Sequence, residues 1–257
     1  ALSPKYHVVV ANPPYAGVSG LNAALQAYAK SEFPASKADL YAMFMERSLH
    51  MTRKHGMLAM INMQSWMFLG TYQKLRNKLW NGAAILNMAH IGERGFDTIG
   101  GAVVSTTAFV IAKTSRQDIS GTFIRLTDGQ SESQKSEMIL GAIKSQEVAY
   151  RYSARTSDFV KIPGEPVSYW LSDRFQEIFA TSRQVSDYAD PRAGLQTSDN
   201  NRFLRLWPEV SQQKVAYNCP SRASAEASKA KWFPCTKGGG FRRWYGFNEY
   251  LVNWEED

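Results

Sequence analysis

The run Asn12-Pro13-Pro14-Tyr15 holds the residues of this chain best suited to chemistry. It follows a strand-like apolar run, Tyr6-His7-Val8-Val9-Val10-Ala11. The first proline cannot extend a ladder, and each proline pushes the residue before it out of the helical region. The strand therefore stops abruptly at its carboxyl end, where open α/β sheets place their ligands. The turn offers one amide side chain, outward-facing carbonyls and one aromatic face. Together these could hold a flat ring bearing an exocyclic amine, such as the N6 of adenine. Asn-Pro is also a common surface-turn initiator. The preceding valine run argues against that reading, because it predicts a strand buried on both faces.

The elements that must position this turn are legible as alternating strands and helices. Asn22 to Lys30 is helix-compatible. Ser36-Lys37-Ala38-Asp39 resembles a capping box with Asp in place of Glu. The helix after it groups Leu40, Met43 and Phe44 on one face and is expected to end at His55-Gly56, where glycine suits the cap. Met57 to Asn62 predicts a second strand. Thr71 to Trp80 predicts a helix with Lys74, Arg76 and Lys78 exposed. Ala84 to Ile91 and Val103 to Ala112 predict two more strands, with no helix between them and so an antiparallel pair at one edge. The pattern predicts a mainly parallel α/β sheet over residues 1–115. Residues 116–186 are polar and weakly patterned, which predicts a connector with short elements at Thr122–Leu126, Glu137–Lys144 and Ser172–Thr181. Residues 187–257 hold four of the seven tryptophans and the run Gly238-Gly239-Gly240, as at the start of a further domain.

The chain has 257 residues, 44% hydrophobic and 21% charged, and a net charge of +7. This is a globular composition whose basic balance favours a polyanionic partner. The charge is uneven. Residues 1–115 carry 11 Lys and Arg against 5 Asp and Glu, and Arg192 to Arg243 carries 10 against 3. Cys219 and Cys235 make no metal-ligand spacing and are read as reduced thiols of a cytoplasmic protein. No apolar run is long enough for a membrane span. The first residue is not Met and the first strand follows almost at once, so a piece of a longer protein is expected.

In order, the residues resemble the catalytic half of gamma-class adenine-N6 DNA methyltransferases, above all the large single-chain type of restriction-modification and BREX-type phage-defence systems. The resemblance runs through Val8–Tyr15 (the family's motif IV), Asp39–Glu46 (motif V), Gly56–Ile61 (the next strand), and Ile91–Phe96 with Val103–Lys113 (motif VIII). Motif IV alone is shared with protein-glutamine methyltransferases, so the ordered set is the more specific signal. Arg192–Thr197, Asn201–Arg205 and Lys237–Tyr245 resemble the entry to a target-recognition domain.

The resemblance implies the later half of a Rossmann-like methyltransferase sheet and three regions: 1–115 catalytic, 116–186 connector, 187–257 start of the recognition domain. It implies methyl transfer from S-adenosylmethionine to a flipped adenine of double-stranded DNA. Asn12, Pro13, Pro14 and Tyr15 would be catalytic, with Tyr15 and Phe96 against the base and Phe44 and Asn12 toward the cofactor. Phe44 on an apolar helix face is equally a plain core residue. Arg192, Arg202, Arg205, Lys237, Arg242, Arg243 and Trp244 would contact DNA, and other defence-system subunits are expected partners. The family's glycine-rich cofactor loop is absent, and Gly17-Val18-Ser19-Gly20 does not replace it. The chain by itself is therefore expected to bind S-adenosylmethionine weakly or not at all and to be inactive. The rival readings are a protein-glutamine methyltransferase and a non-catalytic DNA-binding specificity module.

Overall fold

The computed structural model describes residues 4–97, 104–116, 118–190 and 195–254. Its strands and α-helices run β1 (Tyr6–Ala11), α1 (Ala23–Glu32), α2 (Leu40–Met51), β2 (Thr52–Met63), α3 (Gln73–Trp80), β3 (Ala83–Gly92), β4 (Thr106–Lys113), β5 (Ser120–Arg125), α4 (Glu132–Lys144), β6 (Arg151–Arg155), α5 (Thr156–Phe159) and α6 (Asp173–Thr181), followed by α7 (Asn200–Phe203), β7 (Leu204–Leu206), α8 (Arg222–Ser228), β8 (Trp232–Cys235) and β9 (Tyr250–Asn253). The chain divides into two compact units, 1–183 and 184–257.

The first unit is α/β, built on one six-stranded sheet of order β1-β2-β4-β3-β5-β6. β1 is parallel to β2 and β3 to β5, whereas β4 is antiparallel to both β2 and β3 and β6 to β5, so the sheet is mixed and not the mainly parallel one that the alternating pattern predicts. The antiparallel β3–β4 pair is as expected, but it occupies the centre of the sheet instead of an edge. The stretch 116–183 supplies β5 and β6 to the same sheet.

One face of the sheet is packed. Leu58, Met60, Ile85, Met88, Phe109, Ile111 and Phe123 interlock with Tyr41, Ala42 and Met45 of α2, Leu75, Leu79 and Trp80 of α3, and Phe159 of α5. Trp66 lies at the middle, 5.2 Å from Phe109 and 6.3 Å from Trp80 between ring centroids, and its indole donates to Asn62 at 3.1 Å. The opposite face is open. Val10, Ala59, Ile61, Ala108, Val110 and Ile124 line a shallow apolar trough of about 580 Å³. β1 is therefore not buried on both faces, and Val10 is 73% exposed. The valine run reported strand propensity correctly, but period alone does not report which faces are covered.

Three local expectations change for physical reasons. Asp39 is itself the cap of α2, its carboxylate accepting from Tyr41 N, while Ser36 turns away to donate to Glu46. α2 ends at Met51 instead of Gly56, and Gly56 lies inside β2. There a Cβ would sit 2.6 Å from the carbonyl oxygen of His7, so glycine serves the close β1–β2 approach and not a cap. Arg76, expected on the surface, is 1% exposed. α2 buries the face of Tyr41, Ala42, Met45 and Ser48 and leaves Phe44 exposed.

The second unit holds a small antiparallel sheet, β7-β9-β8, with Leu204, Leu251 and Val252 buried. The excursion between β8 and β9 carries the Gly238–Gly240 run and the arginine-tryptophan cluster.

Candidate active site

The carboxyl end of β1 delivers Asn12 to Tyr15 into a cavity of about 550 Å³, walled by Asn12, Pro13, Pro14, Tyr15, Ile61, Phe96, Val104 and Thr106. The two aromatic residues singled out in the sequence thus share one cavity with the amide. Asn12 and Tyr15 are exposed, Pro13 is buried and Phe96 is half-buried. Asn12 also borders the apolar trough on the open face of the sheet. Phe44 lines neither cavity.

The turn is held from below by α2. The Asp39 carboxylate accepts from Ala16 N at 3.0 Å and from Tyr41 N at 3.2 Å, so one side chain caps the helix and pins the turn. Two backbone bonds complete the tie, Leu40 N to Ala16 O at 3.0 Å and Val18 N to Ala38 O at 2.9 Å. The Tyr15 ring stands edge-on to Tyr41 with centroids 6.1 Å apart, and the Tyr41 hydroxyl is 2.7 Å from Ser65 Oγ. Burial pushes the Tyr15 and Tyr41 phenols above their ordinary values, so both rings stay neutral at physiological pH. A neutral ring at Tyr15 offers a π-face without a charge beside the amide. The Thr106 hydroxyl in the cavity wall is buried without a hydrogen-bond partner among the described residues.

A second polar feature near the carboxyl end of β3 went unread in the sequence, because a lone histidine at a strand position carries no signal. His90 is buried between Tyr169 and Gln64, with Nδ1 2.8 Å from the Tyr169 hydroxyl and Nε2 2.7 Å from Gln64 Oε1. The neutral imidazole satisfies both partners: Nε2–H donates to the amide oxygen and Nδ1 accepts from the phenol. Burial, with Arg125 and Lys135 adding positive charge, lowers the His90 pKa to about 4.

The unfolded chain protonates this histidine near pH 6.5, so the stability it confers is complete above that value and lost as pH falls toward 4. Wild type is expected to lose up to about 3 kcal/mol over that window from this group. Urea midpoints at pH 7.5 and 5 should show a smaller acid loss in His90→Gln. Equal losses in both proteins would remove His90 as the cause.

In the second unit the basic candidates differ in how free they are. Arg205 donates through Nη1 to the carbonyls of Asn201 and Leu204 at 2.6 and 2.7 Å. Arg242 is paired with Glu249 at 2.6 Å and lies over Phe247. Lys237 sits over the Tyr250 ring and Arg202 over Phe203. Arg243 stacks on Trp244, which is 88% exposed, and Phe241 and Tyr245 stand beside them in solvent. Arg192 lies outside the described residues. Among the described residues no group of His, Cys, Asp and Glu could hold a metal ion, and no helix is long and apolar enough to cross a membrane.

Residues 2–96 match the model of the Eco57I restriction-modification methylase family. The chain is 40% identical over 256 residues to the adenine-specific methyltransferase PglX of Lacticaseibacillus casei (strain Zhang), covering 99% of this chain and 21% of that protein. It is 39% identical over 259 residues to the adenine-specific methyltransferase BrxX of Escherichia coli O9:H4 (strain HS), covering 100% of this chain and 20% of that protein. Among solved structures, the methyltransferase subunit of a type I restriction-modification system from Streptococcus thermophilus is 17% identical with a TM-score of 0.44, over 66% of this chain and 38% of that one. The chain thus spans about one fifth of the length of the curated relatives it matches. The resemblance to adenine-specific methyltransferases that Asn12–Tyr15 and the motifs after it carry is met by a family model over residues 2–96 and by similarity along the whole chain.

Proposed function

We propose that this chain is the target-base segment of a longer adenine-N6 DNA methyltransferase acting in restriction-modification or phage defence. The observation that carries the reading is the single cavity that brings Asn12, Pro13 and Tyr15 together with Phe96. Adenine N6 is a poor nucleophile because its lone pair is delocalised into the ring. The Asn12 side-chain oxygen and the Pro13 carbonyl can accept its two N–H bonds, which favours a pyramidal nitrogen with its lone pair free. That is catalysis by orientation and by fixed dipoles. Tyr15 and Phe96 offer aromatic faces to a base taken out of the stack. Flipping costs a few kcal/mol, and each stacked base returns about 1–3 kcal/mol.

The methyl donor of the reading is S-adenosylmethionine, which supplies a methyl group on a positively charged sulfur. The residues present fit the acceptor side of that transfer. Asn12 borders both the base cavity and the apolar trough, and so stands where donor and acceptor can meet. Phe44, exposed on α2, remains available to an adenine ring of the donor.

Double-stranded DNA is the partner that suits the second unit. Arg243 stacked on exposed Trp244, with Lys237 and Arg202 in the same unit, combines phosphate-seeking charge with a surface for bases. Arg205 and Arg242, whose guanidinium groups already have partners, contribute charge with fixed orientation. Arg192 completes this set on sequence grounds. Other subunits of a defence system are further candidate partners.

The test is transfer of tritiated methyl from S-adenosylmethionine by the full-length protein, offered unmethylated DNA and a cell protein extract in parallel. Label at adenine N6 is expected. Label at a glutamine amide would replace the substrate class, and DNA retained without label would leave a specificity module.

A further inference from the structure

The loop that carries Phe96 leaves β3 through two residues with left-handed backbone. Gly92 has φ +71° and Arg94, a residue with a side chain, has φ +54°. A non-glycine residue there is disfavoured and persists only where its surroundings hold it. The surroundings are the start of α4 and the turn before it, more than 30 residues further along the chain.

Four hydrogen bonds reach the loop, and a fifth, Lys135 to Leu126, fixes the mount itself. The Lys135 ammonium, almost fully buried, donates to the carbonyls of Ile91 at 2.7 Å and Leu126 at 2.6 Å. The Asp97 amide donates to Glu132 Oε2 at 2.9 Å, and the Glu132 amide donates back to Asp97 Oδ1 at 3.4 Å. Arg94 Nη1 donates to Gln130 Oε1 at 3.0 Å. Phe96 lies inside this frame, flanked by Arg94 and Asp97.

We propose that residues 130–135 are the mount for the Phe96 loop, and that Glu132 and Lys135 are positioning residues for the target base. The proposal rests on the reading of the cavity as a base site. The physical case is that an untethered segment Glu93–Asp97 would present Phe96 in many orientations, and a stacking face must be fixed to hold a ring over the amide. A misplacement of about 1 Å in a reacting geometry costs up to about 10²-fold in rate. Lys135 suits the task because a buried ammonium must keep its carbonyl partners. Releasing the loop would leave a charge unsolvated, which makes departure costly. The Asp97–Glu132 exchange ties the chain just beyond Phe96 to the first turn of α4 in the same way, at the surface.

The experiment uses the full-length protein with Glu132→Ala, Glu132→Gln and Lys135→Met. Amide hydrogen exchange over residues 92–97 is read together with kcat and KM for methyl transfer to unmethylated DNA. Glu132→Ala is expected to speed exchange in that segment by about tenfold, an opening easier by about 1.4 kcal/mol. Exchange over β1 and β2 should stay unchanged. kcat is expected to fall about tenfold with KM for S-adenosylmethionine unmoved. Glu132→Gln keeps an oxygen acceptor for Asp97 N and should restore most of both. Lys135→Met should give the larger effect, and the exposed Glu132 pair keeps the test valid where that variant does not fold. Exchange unchanged in Glu132→Ala would overturn the mount. Faster exchange with kcat unchanged, where Phe96→Ala is slow, would overturn the positioning role. A wild type that labels no DNA would fail the base-site reading and leave the exchange result to decide the mount alone.

Discussion

Asn12→Ala in the full-length protein is expected to lower kcat for DNA adenine methylation by two to three orders of magnitude, the loss typical of removing one preorganised polar group from a site of developing charge. Little else should change. Asn12 is exposed and carries none of the bonds that hold the turn, which run through the Asp39 carboxylate and the backbone of Ala16 and Val18. Stability and DNA affinity should therefore stay near wild type, and the loss should fall on kcat more than on KM. Asn12→Asp keeps a side-chain oxygen facing the amine and should retain more rate than the alanine variant. Tyr15→Ala is expected to lose a stacking face worth about 1–3 kcal/mol. Its effect should appear in the affinity for DNA carrying an already unpaired adenine as well as in rate. Single-turnover assays with saturating cofactor separate these terms. A kcat for Asn12→Ala within about twofold of wild type would remove Asn12 from the reaction, because an orientation effect smaller than about 0.4 kcal/mol is no catalytic role.

Arg76→Met is expected to destabilise the first unit by about 3 kcal/mol or more, through the loss of a cation around which buried carbonyls have been arranged. Arg76 donates to Trp66 O and Leu69 O at 2.8 Å, and twice to Gly164 O at 3.1 and 2.6 Å. These bonds join α3 to the turn after β2 and to the chain beyond α5. Trp66, one of those partners, stands at the centre of the packed face. Methionine fills similar space, and Leu69 O keeps the Tyr72 amide at 3.0 Å, but Trp66 O and Gly164 O lose their donors, each costing about 1–3 kcal/mol if no water reaches it. With about 2–4 °C per kcal/mol for a unit of this size, the melting temperature should drop by roughly 10 °C. Lys74→Met, on the exposed side of the same helix, should stay within about 0.5 kcal/mol of wild type and serves as the control. Calorimetry on the two variants decides. A shift below about 2 °C for Arg76→Met would show that water replaces the guanidinium without difficulty.

Local features were legible from the residues alone. Two prolines after an apolar run end a strand and fix a turn, because their effect on φ and on the ladder needs no partner from elsewhere. An aspartate before an apolar-periodic stretch starts a helix, though its carboxylate also serves the turn twenty-three residues upstream, which no cap rule includes. Strand and helix positions through residue 113 follow for the same reason, with their ends off by a few residues where a glycine served close approach instead of a stop.

Features that depend on partners far along the chain emerged with the fold. β4 lies at the centre because it pairs with β2 on one side and β3 on the other, and hydrogen-bond partners leave no periodic trace. The same limit hid the burial of Arg76. A charged residue at a surface-like helical position looks solvated until carbonyls from residues 66, 69 and 164 converge on it. The polar stretch 116–186 read as weakly patterned because β5 and β6 are short and end the sheet. Yet it supplies Lys135 and Glu132, which meet the Phe96 loop only through the fold. The chemistry of the candidate site was legible because it sits in four consecutive residues. The frame that aims its second aromatic face was not, because that frame is assembled across more than 30 residues of chain by contacts that no spacing encodes.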